Sequence, residues 1–363
     1  MVSMASRLHS LVLCLCLFAF VPGEALRGNV VVTFATNDVY ALSAVVLARS
    51  MNAFGDESAA HVALVFASVS RPVREMLTAV GWDVRDVDPI QPLKSASQTE
   101  IEVDRDLTTE YSLLHAWDLD EFERALIIDA DGIVKGSIDS LFDERYFRGN
   151  VTGRYERGNI DAERPFMNGA LLAIRPSRNI PALLLEAGAD GHTGMNLQGL
   201  LNMYFWDEWC SKGDEERVSN SMHFGAAACI LDSSTEVIEE VRVATILDFQ
   251  GRTKPWRWPE VVSYPSCAVL TAYAKLWVIL LILPLSSKAV TARSFVEQTD
   301  LNANLADSLL TLAFHLAHEA MQESAVERAR YALIAEFVHS FGVHERLRSD
   351  LQQFSSEIGR GDL

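Results

Sequence analysis

Leu113 to Asp143 reads LLHAWDLDEFERALIIDADGIVKGSIDSLFD, and its centre decides the fold. Ala125 to Ile128 (ALII) is a short apolar run of the kind that forms a fully buried strand, and it ends at Asp129. Working outward, Val30 to Phe34 (VVVTF) is a second such run, followed by a Thr36-Asn37-Asp38 turn and a helical stretch from Tyr40 to Met51. Ala60 to Ala67 reads as a strand, Arg71 to Val80 as a helix, and Trp82 to Val87 alternates like a strand. Leu113 to Phe122 has helical character. Strands alternating with helices predict an α/β fold around a mainly parallel sheet. In such sheets ligands bind beyond the carboxyl ends of the strands, which is where Asp129-Ala130-Asp131 falls. Downstream, Met167 to Ile174 (MNGALLAI) forms a further unit and a helix is expected around Pro181 to Ala187. Val241 to Phe249 ends the globular part.

The composition agrees with a folded chain. Of 363 residues, 49% are hydrophobic and 22% charged, enough apolar material for a large core and too little polarity for extended disorder. Forty-nine acids against 31 bases leave a net charge of −18. Such a surface repels phosphate backbones and excludes non-specific nucleic-acid binding. An anionic ligand therefore needs a locally neutralised pocket, one that holds a cation.

Both ends call for a separate reading. Arg7, the apolar run Leu11 to Val21 (LVLCLCLFAFV) and Gly23-Glu24-Ala25 together read as a signal peptide over residues 1–25. Cys14 and Cys16 would leave with it, and Cys210, Cys229 and Cys267 are too few and too scattered for a disulfide framework. The sequon Asn150-Val151-Thr152 suits a lumenal location but adds little. Near the other end, Cys267 to Leu285 carries ten Leu, Ile and Val residues. At about half a kcal/mol each they favour membrane insertion by roughly 5 kcal/mol, from which Lys275 near the middle takes about 3 kcal/mol. The stretch fits a membrane span about as well as a buried or interfacial helix, with a slight tilt toward membrane association. The last part is helical, with stripes at Leu305, Leu309, Leu312, Leu316, Ala320 and at Leu333, Phe337, Phe341 that suit an α-hairpin packing on itself or on a neighbour. Four segments result: 1–25 signal, 26–262 catalytic-type domain, 263–287 apolar segment, 288–363 helical tail.

Asp129 and Asp131 are the sharpest chemical feature. Two carboxylates two residues apart just past a buried strand reach one hard cation, and oxygen ligands suit Mg or Mn, which neutralise a diphosphate. Two enzyme classes use this arrangement. One is a nucleotide-sugar transferase. The other is a haloacid-dehalogenase-type phosphatase, since Ile127 to Val134 (IIDADGIV) resembles that family's nucleophile motif. The phosphatase reading is the weaker: two strand–helix units precede the motif here, and the only later acidic candidate, Gly213-Asp214, follows no apolar strand.

Five segments in order decide between them: FATNDVYALSAVVLARSM (Phe34 to Met51), the Leu113 to Asp143 stretch, MNGALLAIRPS (Met167 to Ser177), QGLLNMYFWDEW (Gln198 to Trp209) and DFQGRTKPW (Asp248 to Trp256). Over roughly Val30 to Trp258 the chain resembles the glycogenin-like members of glycosyltransferase family 8. The resemblance implies a Rossmann-like nucleotide-diphospho-sugar transferase fold, a UDP-sugar donor, manganese (magnesium as the alternative), and transfer with retention at the anomeric carbon.

Carried over by position, Phe34, Thr36, Asn37 and Tyr40 match residues that line the uridine, and Asp129 and Asp131 match the metal-binding pair. Asn168 and Gly169 lie where the family contacts the donor sugar, Gln198 matches the glutamine beside the reaction centre, and Gly251 and Lys254 match the loop that grips the diphosphate. Plainer roles stand beside these: Asn37 as a helix cap, Tyr40 and Trp256 as core aromatics, Lys254 as a solvated loop charge. Departures are as specific. Asp248 stands where the family has its third metal ligand, a histidine. Leu113 replaces a lysine, Leu197 an acidic residue and Gly194 an upstream aspartate, which Asp190 or Asn196 would have to replace.

The family's self-glucosylated tyrosine has no counterpart, because Phe205 to Leu247 contains no tyrosine. With the signal-like start, this favours relatives of the secretory pathway, in the Golgi or ER lumen, membrane-anchored or secreted. The expected activity is hexosyl or hexuronosyl transfer to a glycan, lipid or protein, with a homodimer as a further expectation. A degenerate, non-catalytic binding protein on the same fold is the alternative that Leu113, Leu197 and Gly194 motivate.

Overall fold

A computed structural model describes residues 27–54, 59–91, 110–157, 165–189, 196–211, 224–226, 244–249, 254–255, 268–284, 293–294, 317, 320 and 324–340. The signal-like start, Asp190, Gly194, Gly213-Asp214, Gly251, Trp256 and the stripe residues Leu305, Leu309, Leu312 and Leu316 lie outside the described residues.

Strands β1 (Arg27–Ala35), β2 (Ala59–Val65), β3 (Asp83–Asp86) and β4 (Phe122–Ile128) pair in parallel, in the order β3-β2-β1-β4. Helix α1 (Asp38–Ala53) follows β1, and helix α2 (Arg71–Ala79) follows β2. Gly81, at φ +105°, makes the left-handed turn that releases the chain from α2 into β3. This part follows the hydrophobic pattern closely. Two points differ. Leu113 to Phe122 is a 3-10 helix over Ser112–Asp118 rather than a longer α-helix, and Phe122 already belongs to β4. The sheet also continues beyond β4 with two antiparallel strands, β7 (Pro165–Ile174) and then β6 (Val151–Arg157). Between β4 and β6 lies the short strand β5 (Ile133–Val134).

Alternation along each strand builds two cores. Val31, Ala63, Val65, Leu126, Ile128 and Leu171 face one side, against α1 and α2. Val30, Val32, Val62, Ala125, Ile127 and Leu172 face the other, against Leu114 and Trp117 of the 3-10 helix and helices α3 (Asn179–Ala189) and α4 (Leu197–Tyr204). The apolar runs are thus continuous because both sheet faces are covered. Helix α5 (Trp206–Ser211) follows, and its Glu208 accepts hydrogen bonds from the backbone N and side-chain Nδ2 of Asn150, at 2.7 and 2.9 Å. A second sheet contains β5, β9 (Ile246–Asp248) and β8 (Phe224–Ala226), in the order β5-β9-β8.

The doubtful apolar stretch forms helix α6 (Ala268–Ile282), and Leu276 to Leu283 are buried in the same core as α1. No helix among the described residues is long and apolar enough to cross a membrane. Its last carbonyls, which lack partners within a helix, accept from two arginines. Arg49 of α1 donates to Leu280 O at 3.1 Å and to Leu283 O. Arg330 of helix α7 (Ala325–Ser340) donates to Leu281 O and Leu283 O, each at 2.6 Å, and pairs with Glu327 at 2.6 Å. Among the described residues the stretch is thus packed in the core beside α1. The hydropathy that suits a bilayer also suits a core, and the arginines that close the helix end come from distant sequence.

Candidate active site

The carboxyl ends of β1 and β4 open on a cavity of about 520 Å³. Phe34, at the end of β1, meets Phe66 edge-on, with ring centroids 5.2 Å apart, and Thr36 and Tyr40 line the wall beyond it. Asn37 is not among the lining residues. Its Oδ1 accepts from the N–H of Val39 at 3.0 Å and of Tyr40 at 3.3 Å, so it caps α1. Asn37→Ala should cost about 1 kcal/mol of stability, read as a lower midpoint in urea denaturation; an unchanged midpoint would refute the cap.

β7 enters the site because it runs antiparallel to β4. Ile128 pairs with Leu171, and Asp129 N donates to Ala170 O at 3.0 Å, so the start of β7 lies at the end of β4. Asn168, Gly169 and Ala170 thereby reach the cavity. Helix α4 is stitched to the same segment. Asn196 caps the helix through Gly199 N at 2.9 Å, and Gln198 Oε1 accepts from Gly169 N at 3.1 Å. One turn later Asn202 accepts from Met167 N and donates to Met167 O, both at 2.7 Å. These bonds sit where the β6–β7 register shifts, between Gly153 and Arg154. Asn202 went unnoticed in the sequence, although a polar pair at i and i+4 (Gln198, Asn202) in an otherwise leucine-rich helix was its signal.

The acidic centre is assembled by strand pairing. β5 follows the Asp129-Ala130-Asp131 turn directly and pairs with β9, Ile133 opposite Leu247, with Lys135 N donating to Thr245 O at 2.7 Å. Asp248 at the end of β9 is thus brought to the pair. Asp129, Asp131 and Asp248 each offer an oxygen within 4.8 Å of the other two. Three hard oxygen donors this close suit Mn or Mg, so the residues fit the expected metal, with Asp248 in the third place. Lys254 donates to the Asp131 carboxylate and, at 2.6 Å, to Phe249 O.

Crowding shows in the ionisation. Burial and the Asp131 charge push the Asp129 carboxyl up to about 7, against a downward pull from Lys254 and with a further push from Glu110. Burial also raises Asp131, opposed by Lys254. Burial alone would lower the Lys254 ammonium, but the charges of Asp131, Asp248 and Asp129 outweigh it and hold its pKa raised.

Of the expected site residues, Phe34, Thr36, Tyr40, Asn168, Gly169, Gln198, Asp129, Asp131, Asp248 and Lys254 line this one cavity. Leu113 and Leu197, which stand where charged groups were expected, also line it. Glu110, not singled out from the sequence, does too.

No protein-family model matches the chain. Curated proteins do. Glycogenin-1 of Mus musculus is 28% identical over 229 residues, 62% of this chain and 65% of the relative. Glycogenin-1 of Caenorhabditis elegans is 29% identical over 225 residues, 62% of this chain and 50% of that protein. A putative UDP-glucuronate:xylan alpha-glucuronosyltransferase of Arabidopsis thaliana is 26% identical over 201 residues, 52% of this chain and 30% of that one. The chain thus spans between about a third and two-thirds of the length of these relatives. A galactosyltransferase solved with donor and acceptor sugar analogs is 18% identical, with a TM-score of 0.47 over 69% of this chain and 95% of that one.

Proposed function

We propose that this chain, a homologue of the glycogenins, is a metal-dependent glycosyltransferase that moves a sugar from a UDP-sugar donor to a carbohydrate acceptor with retention. The observation that carries the proposal is the triad Asp129, Asp131 and Asp248 on the wall of a cavity of about 520 Å³ at the strand ends. That volume suits a nucleotide-sized ligand. Asp129, Asp131 and Asp248 would hold the metal. When bound, Mn²⁺ or Mg²⁺ supplies the positive charge that a departing diphosphate requires.

The protein residues divide the remaining work. Phe34 and Tyr40 offer aromatic surface to the uracil, and Thr36 a hydroxyl to the nucleoside. Asn168 and Gly169 border the donor sugar. Gln198 acts as a positioning residue, since its Oε1 is held by Gly169 N and cannot swing freely. Lys254 keeps its proton at neutral pH and places a fixed cation beside the leaving group. Asp190 remains a candidate for the reaction centre on the sequence resemblance alone. Location in the secretory pathway is supported by the Arg7 to Ala25 sequence, and lipid or protein acceptors belong to the same proposal.

Calorimetric titration with UDP, with and without Mn²⁺, tests the core of it. Binding that appears with the metal is expected, and no binding under either condition would sink the proposal. UDP binding without any sugar transfer or donor hydrolysis would instead favour a binding protein, the reading that apolar Leu113 and Leu197 in the wall support.

A further inference from the structure

We propose that Asn202 is a positioning residue that sets the sugar-facing wall of the cavity and leaves its nucleotide-facing wall untouched; this rests on the UDP-sugar reading of the same cavity. That wall is a break in a sheet. β6 and β7 pair Gly153 with Leu172 and then Arg154 with Asn168, so Gly169, Ala170 and Leu171 bulge out of the register. Leu171 keeps its place opposite Ile128 of β4. Asn168, Gly169 and Ala170 line the cavity at the bulge. Two N–H groups of the bulge turn to side chains instead of a strand. Gly169 N donates to Gln198 Oε1 at 3.1 Å, and Ala170 N to Asn168 Oδ1 at 2.8 Å.

Asn202 anchors the start of this bulge. Its carboxamide meets Met167 as a neighbouring peptide group would: Oδ1 accepts from Met167 N and Nδ2 donates to Met167 O, both at 2.7 Å. Nδ2 also donates to the Gln198 carbonyl at 2.8 Å. One side chain thus ties the residue before Asn168 to the turn of α4 that carries Gln198. It is 4% exposed, and bonds shielded from water in this way hold a geometry firmly. The Met167 side chain is fixed as well, since it lies where a Cβ on Gly153 would come within 2.6 Å of its Cγ. Asn202 does not line the cavity itself, so it acts through Asn168, Gly169 and Gln198. Phe34, Tyr40 and the three aspartates stand on or beside β1, α1, β4 and β9, and the hydrogen bonds of Asn202 reach none of these elements.

The test compares the full chain with Asn202→Leu, by calorimetry with UDP and with UDP-glucose, both with Mn²⁺, and by the rate of UDP-glucose hydrolysis. Leucine matches asparagine in size but leaves the Met167 N–H and C=O buried without partners. Asn202→Ser leaves room for a bridging water and takes its place if the leucine variant does not fold. UDP should bind each variant within about twofold of the parent, because its contacts lie on elements that Asn202 does not hold. The affinity for UDP-glucose relative to UDP should fall about threefold or more, the loss that one hydrogen bond gives. The kcat for hydrolysis should fall about a hundredfold, the cost of a misplacement of about 1 Å. Adding Gln198→Ala to Asn202→Leu should cost little more than either alone, since both act on one wall. An equal loss of UDP and UDP-glucose binding would mark a general loosening and overturn the proposal. So would an unchanged ratio of the two affinities, or losses from Gln198→Ala and Asn202→Leu that simply multiply. All three outcomes leave the UDP-sugar reading intact, whereas failure of UDP to bind the parent would overturn both.

Discussion

Asp129→Asn should raise the melting temperature of the metal-free protein at pH 8 while removing metal-dependent donor binding and about a thousandfold or more of transfer rate. The two effects share one cause. Burial and Asp131 push the Asp129 carboxyl to about 7, whereas in an unfolded chain it titrates near 3.9. Between about pH 4 and pH 7 the native protein therefore holds a proton that the unfolded chain has lost. Stability falls as pH rises through that window, and above it the full penalty of the buried charge is present. An asparagine carries no such charge. Its gain should appear at pH 8 as a rise of at least a few degrees, the shift that about 1–2 kcal/mol gives in a large domain. This is part of the penalty only, because the asparagine also loses the attraction of Lys254, and the gain should vanish near pH 4. Metal binding runs the other way, because it requires the carboxylate: Mn²⁺ should raise the melting temperature of the unaltered chain more at pH 8 than at pH 6. Thermal scans at both pH values, with and without Mn²⁺, check this. An Asp129→Asn protein that melts lower at pH 8, or still gains stability from Mn²⁺ as the parent does, would show that the triad is not a metal centre.

Arg330→Met should destabilise the protein by about 3 kcal/mol or more, the usual cost of breaking a buried ion pair. Arg330 and Glu327 are 4% and 5% exposed, and the substitution leaves Glu327 in the core without its guanidinium. It also removes a donor from the carbonyls of Leu281 and Leu283 at the end of α6. The double substitution Glu327→Gln with Arg330→Met should recover part of the loss, since the buried charge goes with it. Urea denaturation reads both. If residues 268–282 sat in a bilayer instead of against α1, Arg330→Met would leave the midpoint unchanged.

The two substitutions probe regions that differ in how openly the sequence announces them. The parallel half of the sheet was legible because Val30 to Phe34, Ala60 to Ala67 and Ala125 to Ile128 are covered on both faces, and such strands must be apolar throughout. The residues that line the cavity were legible as motifs, since a residue type at a fixed offset from a strand end is a local property. Asn37 shows where this stops. Asparagine before an apolar helical run suits a cap or a ligand contact, and the cap itself is seen only in the distances to Val39 and Tyr40.

By itself, the sequence determined that this is an α/β protein with a carboxylate pair at a strand end and a strongly acidic balance. The tertiary structure decided how the remote parts meet. β7 turns antiparallel and carries Asn168 and Gly169 to Asp129, β5 recruits Asp248 through β9, and Arg49 and Arg330 close the end of α6. Each of these is a pairing between segments far apart in the chain. Hydrophobic periodicity records which face of an element is buried, but not which distant partner buries it.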